Sequence, residues 1–344
     1  SRFTEDEKIY NGIALQLKYG VKPAIMARPM YFGQAVEDTR TMYKKGIEII
    51  RQYEGITDSN KIVNVAMINT LSPLCLSKLA IENLYAACEE HQAVVFAPCA
   101  MPLMTGPSSV AGLIIQSNAE VLAALVIARA ISPEVGFVYG CTSASTFMKT
   151  MQLSIGSPET ALIVYATSAL ADLYQLPFRS GGGLSDAKNC DVQAGMESMM
   201  MINASIAAET DMIHHGCGSI GQFNVVSFEK FLVDEDAYRY ALRMKRGINC
   251  TDEMCKVDEI EKMGPHGTLI TSRTPKNFRQ EFIASQYLNK EDVGTWHDAG
   301  STELTKVLHE EVQKRLQSYE PPVITPEQEK ILAPYIPQEY KNNI

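Results

Sequence analysis

With 344 residues, 46% of them hydrophobic, the chain can bury either one large α/β barrel or two average domains, and no linker interrupts its middle. Forty acidic residues against 31 basic ones leave a formal net charge of −9, with no run of Lys or Arg. That balance excludes a nucleic-acid phosphate binder.

Short apolar runs of β-forming residues alternate with amphipathic stretches of helical period. The first half predicts a helix over 6–18, a strand over 22–28, a helix over 35–53, a strand over 62–69, a helix over 76–91 and a strand over 93–99. The pattern continues with a helix over 111–131, a strand over 135–140, a helix over 158–173, a strand over 176–183, a helix over 191–208 and a strand over 211–218. Strand and helix in alternation predict parallel strands joined by right-handed crossovers. Several strands are apolar on both faces, as a parallel sheet covered by helices requires. Beyond residue 220, helices are predicted over 228–245, 251–263, 275–286 and 301–318. The proline-spaced segment 321–344 reads as an extended tail along the outside or against a partner.

Six such units fit either a doubly wound sheet or part of a (β/α)₈ TIM barrel. No G-x-G-x-x-G follows the first strand, which argues against the first. Polar and small residues gather at the strand C-termini: Asn69-Thr70, Pro98-Cys99, Tyr139 to Ser143, Gly181 to Asp186 and His214-His215-Gly216. A barrel builds its active site at that end. The expected fold is a (β/α)₈ barrel lacking its first two strands in this chain, with a C-terminal helical extension. Its expected parts are the barrel over 1–225, a helical part over 226–320 and the tail over 321–344.

Eight scattered cysteines without tight pairs imply reduced thiols and a cytoplasmic protein. The longest apolar run, 121–131, contains Arg129 and is too short to span a bilayer, so no membrane association is expected. The polar start of the chain is not a signal peptide, and the absent initiator Met reads as a trimmed chain.

The richest stretch is 176–199, where a strand ends in three glycines, followed by Leu184-Ser185-Asp186 and a helix carrying Gln193 and Glu197. Glycines at a strand end permit close backbone approach, here to a ligand. A turn followed by a helix capped by Ser185 or Asp186 accounts for the same residues.

Three blocks of sequence resemble the trimethylamine methyltransferase family of corrinoid-dependent enzymes. The first runs from Phe96-Ala97-Pro98 through Gly106-Pro107, Ala111-Gly112, Asn118-Ala119-Glu120 and Ser132-Pro133 to Tyr139-Gly140. The second is Arg179-Ser180-Gly181-Gly182 with Asp186, Asp191, Gln193-Ala194-Gly195 and Glu197 to Met200. The third is Gly264-Pro265-His266-Gly267 with Thr274, Phe278-Arg279, Trp296 and Gly300. The resemblance implies transfer of an N-methyl group to the cobalt(I) of a corrinoid carried by a separate protein. It implies no cofactor bound tightly by this chain. The founding members carry pyrrolysine in the loop after the glycine-rich strand, and this loop, 184–190, holds only ordinary residues. The chain therefore resembles the members without pyrrolysine, which act on quaternary amines such as glycine betaine, proline betaine and carnitine. Glycine betaine is the first expectation, on prior abundance and size.

A quaternary nitrogen offers no N–H donor, so aromatic faces and carboxylates suit it. Tyr139, Tyr174, Phe178, Phe223 and Trp296 are cage candidates, with core packing as the competing role. A betaine carboxylate needs a donor, and Arg179 could supply two hydrogen bonds unless it pairs with Asp186 or Asp191. His214 and His215 alternate along a strand, so one of them can reach the same pocket, and His214 is preferred. Gly181 and Gly182 would keep the approach clear, and Asp186 and Asn189 occupy the place where the family's special residue acts.

Three further readings remain open from the residues: a trimethylamine enzyme, a zinc-assisted enzyme using Cys99, Cys141, Cys217 and His215, and a non-catalytic binding barrel or scaffold. No C-x-x-C or H-x-E spacing supports the zinc set, and no metal site is assigned. The expected partners are a corrinoid protein, a small quaternary amine and further copies of the chain.

Overall fold

The computed structural model describes residues 5–27, 39–268 and 278–340. In chain order its elements are α1 (Glu5–Lys18), β1 (Ile25–Ala27), α2 (Thr39–Glu54), β2 (Val65–Ile68), α3 (Lys78–Glu89) and β3 (Ala93–Phe96). Next come α4 (Val110–Ile131), β4 (Phe137–Gly140), a hairpin of β5 (Ser145–Phe147) and β6 (Gln152–Ser154), α5 (Pro158–Leu173) and β7 (Phe178–Gly181). They are followed by α6 (Val192–Ala207), β8 (Met212–His214), a second hairpin of β9 (Ser219–Ile220) and β10 (Val225–Val226), and α7 (Phe228–Arg246). The rest comprises α8 (Asp252–Cys255), α9 (Val257–Met263), α10 (Phe278–Glu281), α11 (Val293–Asp298), α12 (Leu304–Gln317) and α13 (Pro326–Leu332). The predicted elements at 28, 35–38 and 275–277, with Thr274 and the last four residues of the tail, lie outside the described residues.

Contacts divide the chain into two compact units. One comprises Ser1–Gly181, Ala208–His214 and Lys314–Ile344, and the other comprises Gly182–Ala207 and His215–Gln313.

All six predicted strands fall in the first unit, in one parallel sheet of order β1-β2-β3-β4-β7-β8. Helix starts are fixed locally by serine. Ser77, Ser109 and Ser157 stand in extended backbone before α3, α4 and α5, and each accepts a hydrogen bond from the amide three residues on, of Ala80, Gly112 and Thr160.

Register and alternation give the sheet two distinct faces. Pairing of Phe96 with Tyr139 and of Tyr139 with Phe178 sets those residues, with Val94 and Phe137, on one face. Phe96 stacks on Phe137 with ring centroids 5.7 Å apart, and Asn118 of α4 bonds the Tyr139 hydroxyl, so this face lies against helices. Pairing of Gly140 with Arg179 and of Gly181 with His214 sets those four on the opposite face, together with Val95 and Val138.

The tail is not extended as expected. Thr325 and Gln328 form a capping box that starts α13, and Leu332 and Ile336 bury against Ile13, Ala14 and Leu17 of α1 and Ile49 and Ile50 of α2. Proline at the first helical position, Pro326, starts that helix instead of preventing it.

In the second unit α6 and α7 pack through Ile202, Ala237 and Ala241, and Leu308 and Val312 of α12 bury against Leu232 of α7. The helix predicted over 251–263 breaks at Lys256, which takes the left-handed conformation (φ 55°) between α8 and α9. The predicted helix 275–286 is helical, among the described residues, over Phe278–Glu281.

Candidate substrate site

The face of the sheet away from the helices carries Arg179 among Val95, Val138, Gly140, Gly181, Met212 and His214. Arg179 is fully buried on β7, and its Nη1 donates to the Cys141 carbonyl at 3.2 Å. Its Nε and Nη2 have no hydrogen-bond partner, and among the described residues no carboxylate lies in ion-pair contact with it. Burial pulls the guanidinium down to about 10, against an opposing pull from the nearby Cys141 and Cys99 sulfurs. Burial in turn pushes both thiols up, so they remain protonated.

A buried guanidinium with unused donors is costly unless something anionic arrives to satisfy it. Gly140, paired with Arg179, has no side chain to cover it, and a Cβ there would stand 2.6 Å from the Phe96 carbonyl oxygen. The register places His214 on the same face as Arg179 and Gly181.

Tyr139, by contrast, is not on that face. It is fully buried, its hydroxyl donates to Asn118 Oδ1 at 3.1 Å, and the Asn118 amide donates to the Tyr174 hydroxyl at 2.9 Å. Tyr139 lies 6.3 Å from the rings of both Tyr174 and Phe178. These three aromatic cage candidates therefore form a helix-side core cluster, because an odd step along the strand turns Tyr139 away from Arg179. Asn118 and Glu120, both in the first resemblance block, have structural duties. Glu120 accepts from Thr70, from Ser72 Oγ at 2.8 Å and from the Leu74 amide at 2.9 Å, fixing the loop after β2.

In the second unit the glycine-rich loop is tied to α6 and α7. Glu197 Oε2 accepts from Ser185 Oγ and from the Asp186 amide, both at 2.7 Å. Asp191, and neither Ser185 nor Asp186, caps α6 by accepting from the Ala194 amide at 3.1 Å. Asp186 is half-buried and Asn189 is exposed, with its carbonyl holding the Asp191 amide. Gly182 is buried, and Gly183 clears space for the protein itself, since a Cβ there would stand 2.3 Å from the Gly216 carbonyl and 2.6 Å from Asp234.

Sequence reasoning missed the group beneath this loop. Lys230 Nζ, fully buried, donates to the Gly183 carbonyl at 2.7 Å, to Ser198 Oγ at 2.6 Å and to Asp234 at 2.6 Å. Asp234 also accepts from Ser198 Oγ and from the Gly218 amide, each at 2.7 Å. The four-residue spacing of Lys230 and Asp234 was the available signal, but on a helix it usually marks a solvated pair.

His215 follows β8 with φ 53° and lies against Phe223, ring centroids 4.9 Å apart. Trp296, on α11, donates from Nε1 to the Thr302 carbonyl at 3.1 Å. Burial pushes the Cys217 thiol up to about 12. Among the described residues no three His, Cys, Asp or Glu side chains cluster as metal ligands, so the alternative set of Cys99, Cys141, Cys217 and His215 is not assembled as one.

Comparison with known proteins bears on the family of the chain. The family model described as trimethylamine methyltransferase matches residues 27–343. The chain is 38% identical over 282 residues to a glycine betaine methyltransferase of Desulfitobacterium hafniense, covering 82% of this chain and 59% of that protein. It is 32% identical over 343 residues to an L-carnitine:corrinoid methyltransferase of Eubacterium limosum, covering 96% and 68%. A proline betaine:corrinoid methyltransferase of the same organism is 32% identical over 352 residues, covering 98% and 70%. The chain thus spans between three-fifths and seven-tenths of the length of these curated relatives. With a family match over nearly its whole length, the chain belongs to the trimethylamine methyltransferase family.

Proposed function

We propose that this protein is a methyltransferase that takes a methyl group from a carboxylate-bearing quaternary amine, glycine betaine or a close analogue, and passes it to the corrinoid of a partner protein. The observation that carries the reading is Arg179, a buried guanidinium with two unused donors on the face it shares with Gly140 and Gly181. A carboxylate accepting from Nε and Nη2 would supply both missing bonds in the parallel geometry that arginine favours. His214, on the same face, is the nearest second donor by register. The relatives whose names specify betaines and carnitine support the same substrate class, since each of those compounds pairs a quaternary nitrogen with a carboxylate.

The chemistry asks little acid–base work of the chain. The quaternary nitrogen already carries its positive charge, so when its N–CH₃ bond breaks the nitrogen keeps the bonding pair and departs as a neutral tertiary amine. No proton has to move. The corrinoid partner is a second substrate and supplies the nucleophilic cobalt(I) that accepts the methyl group. The protein's contribution is to fix the substrate by its carboxylate, point the N–CH₃ bond outward and keep water away. A dry site around a fixed cation strengthens that hold.

The fold we propose around this site is a (β/α)₈ barrel. Its support is the sequential strand order with a helix between neighbours, since a doubly wound sheet would reverse its order at a switch point.

The test is a panel assay with a reduced corrinoid protein and glycine betaine, proline betaine, carnitine, choline and trimethylamine, reading the demethylated amine by mass spectrometry. Demethylation of the carboxylate-bearing compounds, with choline and trimethylamine unreacted, is expected. Equal turnover of choline would remove Arg179 from substrate recognition, and no turnover of any quaternary amine would discard the reading.

A further inference from the structure

The four residues that follow β4, Cys141 to Ala144, have no regular secondary structure, yet each is bonded to a neighbouring segment of the first unit. Cys141 engages Arg179 at both of its backbone groups. Its amide donates to the Arg179 carbonyl at 3.1 Å, and its carbonyl accepts from Nη1 at 3.2 Å. Thr142 donates to the Pro98 carbonyl from its amide at 2.8 Å and from its hydroxyl at 2.7 Å. The Ala144 amide donates to the Ala100 carbonyl at 3.3 Å.

Ser143 joins this segment to α4. Its buried hydroxyl accepts from the Ala100 amide at 3.1 Å and lies 2.8 Å from the hydroxyl of Ser117, which is buried as well. With its proton directed at the Pro98 carbonyl, 3.4 Å away, the one donor and both lone pairs of that hydroxyl are in use.

We propose that Ser143 and Thr142 are positioning residues for the methyl transfer: they hold the Cys141 carbonyl in the place from which it aims Arg179 at the substrate's carboxylate. This role rests on the substrate reading proposed for Arg179. An arginine side chain has much rotamer freedom to lose, and among the described residues the guanidinium has one hydrogen bond to hold it, the bond to Cys141. The direction of its free edge therefore depends on how firmly Cys141 is placed. Holding Nη1 leaves Nε and Nη2 as the open pair, the two donors that take a carboxylate side by side. Strand β4 ends at Gly140, so the bonds of Thr142 and Ser143 to the segment after β3 continue the anchoring where the strand stops. An error of about 1 Å in such an anchor can cost a hundredfold in rate, because the reacting bond is carried off its line.

Calorimetric titration with glycine betaine tests the role, on single variants and on the same variants in an Arg179→Met background. Ser143→Ala and Thr142→Val are each expected to weaken binding by roughly tenfold, the worth of about one hydrogen bond to the guanidinium. Thr142→Ser keeps the donor and is expected to bind within about twofold of the unaltered protein. In the Arg179→Met background neither loss should appear, since both act through the missing guanidinium. Ser143→Ala strands the Ala100 amide, and the Thr142 pair carries the test by itself should that variant not fold. Unchanged binding by Ser143→Ala and Thr142→Val, with Arg179→Met impaired, would overturn the positioning role and leave the substrate reading standing. So would a loss that persists in the Arg179→Met background, or one that Thr142→Ser does not relieve. No binding of glycine betaine by the unaltered protein would remove the substrate reading and this role with it.

Discussion

The two faces of the six-stranded sheet differ in kind. The helix-facing side is filled by Phe96, Phe137, Tyr139 and Phe178, with its polar atoms engaged: the Tyr139 hydroxyl meets Asn118, and Asn118 meets Tyr174. The opposite side pairs Gly140 with Arg179 and Gly181 with His214, and leaves two donors of a buried cation unsatisfied. One face is completed by the protein's own groups, and under the proposed function the other is completed by the substrate's carboxylate. Substitutions should therefore separate stability from binding according to the face they touch.

The largest loss of stability belongs to the helix side. Phe178→Ala removes a fully buried ring and should cost about 3–5 kcal/mol in a urea-unfolding measurement, while the betaine affinity of the folded fraction stays close to that of the unaltered protein. A comparable loss of affinity would mean that the two faces are coupled.

Arg179→Met should do the reverse. The fall of the guanidinium from its ordinary value to about 10 corresponds to about 3 kcal/mol of burial cost that methionine avoids. The variant is expected to be as stable as the unaltered protein or more so, and to lose roughly 30- to 1000-fold in betaine affinity by calorimetry, the worth of two charge-assisted hydrogen bonds. A depressed pKa in a base means that the folded chain releases its proton first. Stability from this group thus rises with pH from about 10 up to the ordinary guanidinium value, and below that window its cost is constant. Betaine affinity through Arg179 should accordingly be flat from about pH 6 to about pH 9, where the group stays charged. A marked slope in that range would point to a different donor.

Gly140→Ala sits at the boundary of the comparison. Its methyl group would approach the Phe96 carbonyl at 2.6 Å and the Val95 side chain at 2.8 Å, so about 1–3 kcal/mol of destabilisation is expected, with weaker betaine binding as β4 and β7 shift. Unchanged stability would show that the strands can part at no cost. The smallest effect is Tyr139→Phe, which removes one hydrogen bond to Asn118 and should cost about 1 kcal/mol with unaltered turnover. A tenfold loss of turnover would return Tyr139 to the substrate.

Much of this contrast was legible in the sequence, and its limits have physical causes. Alternating apolar runs located all six strands, and the polar C-terminal ends singled out Arg179 and His214. Strand β4, Phe-Val-Tyr-Gly, is buried at every position, so alternation separates its residues into two sets without saying which set faces the helices. That is why Tyr139 stood between a cage role and core packing. The cap of α6 was read as Ser185 or Asp186, and Asp191 takes that role, because short polar side chains in one loop compete for the same amides. The burial of Lys230 and Asp234 was hidden because it depends on segments far away in sequence, Gly183 and Gly218. The helix in the tail was obscured by prolines, although Thr325-Pro326 with Gln328 is itself a start signal.

That internal ammonium–carboxylate pair has a mechanical corollary. One end grips the Gly183 oxygen and the other the Gly218 nitrogen, so two loops separated by 35 positions along the chain hang from a single turn of α7. Neither can swing out without stranding a charge in a dry interior, which makes their opening one concerted event and not two separate ones.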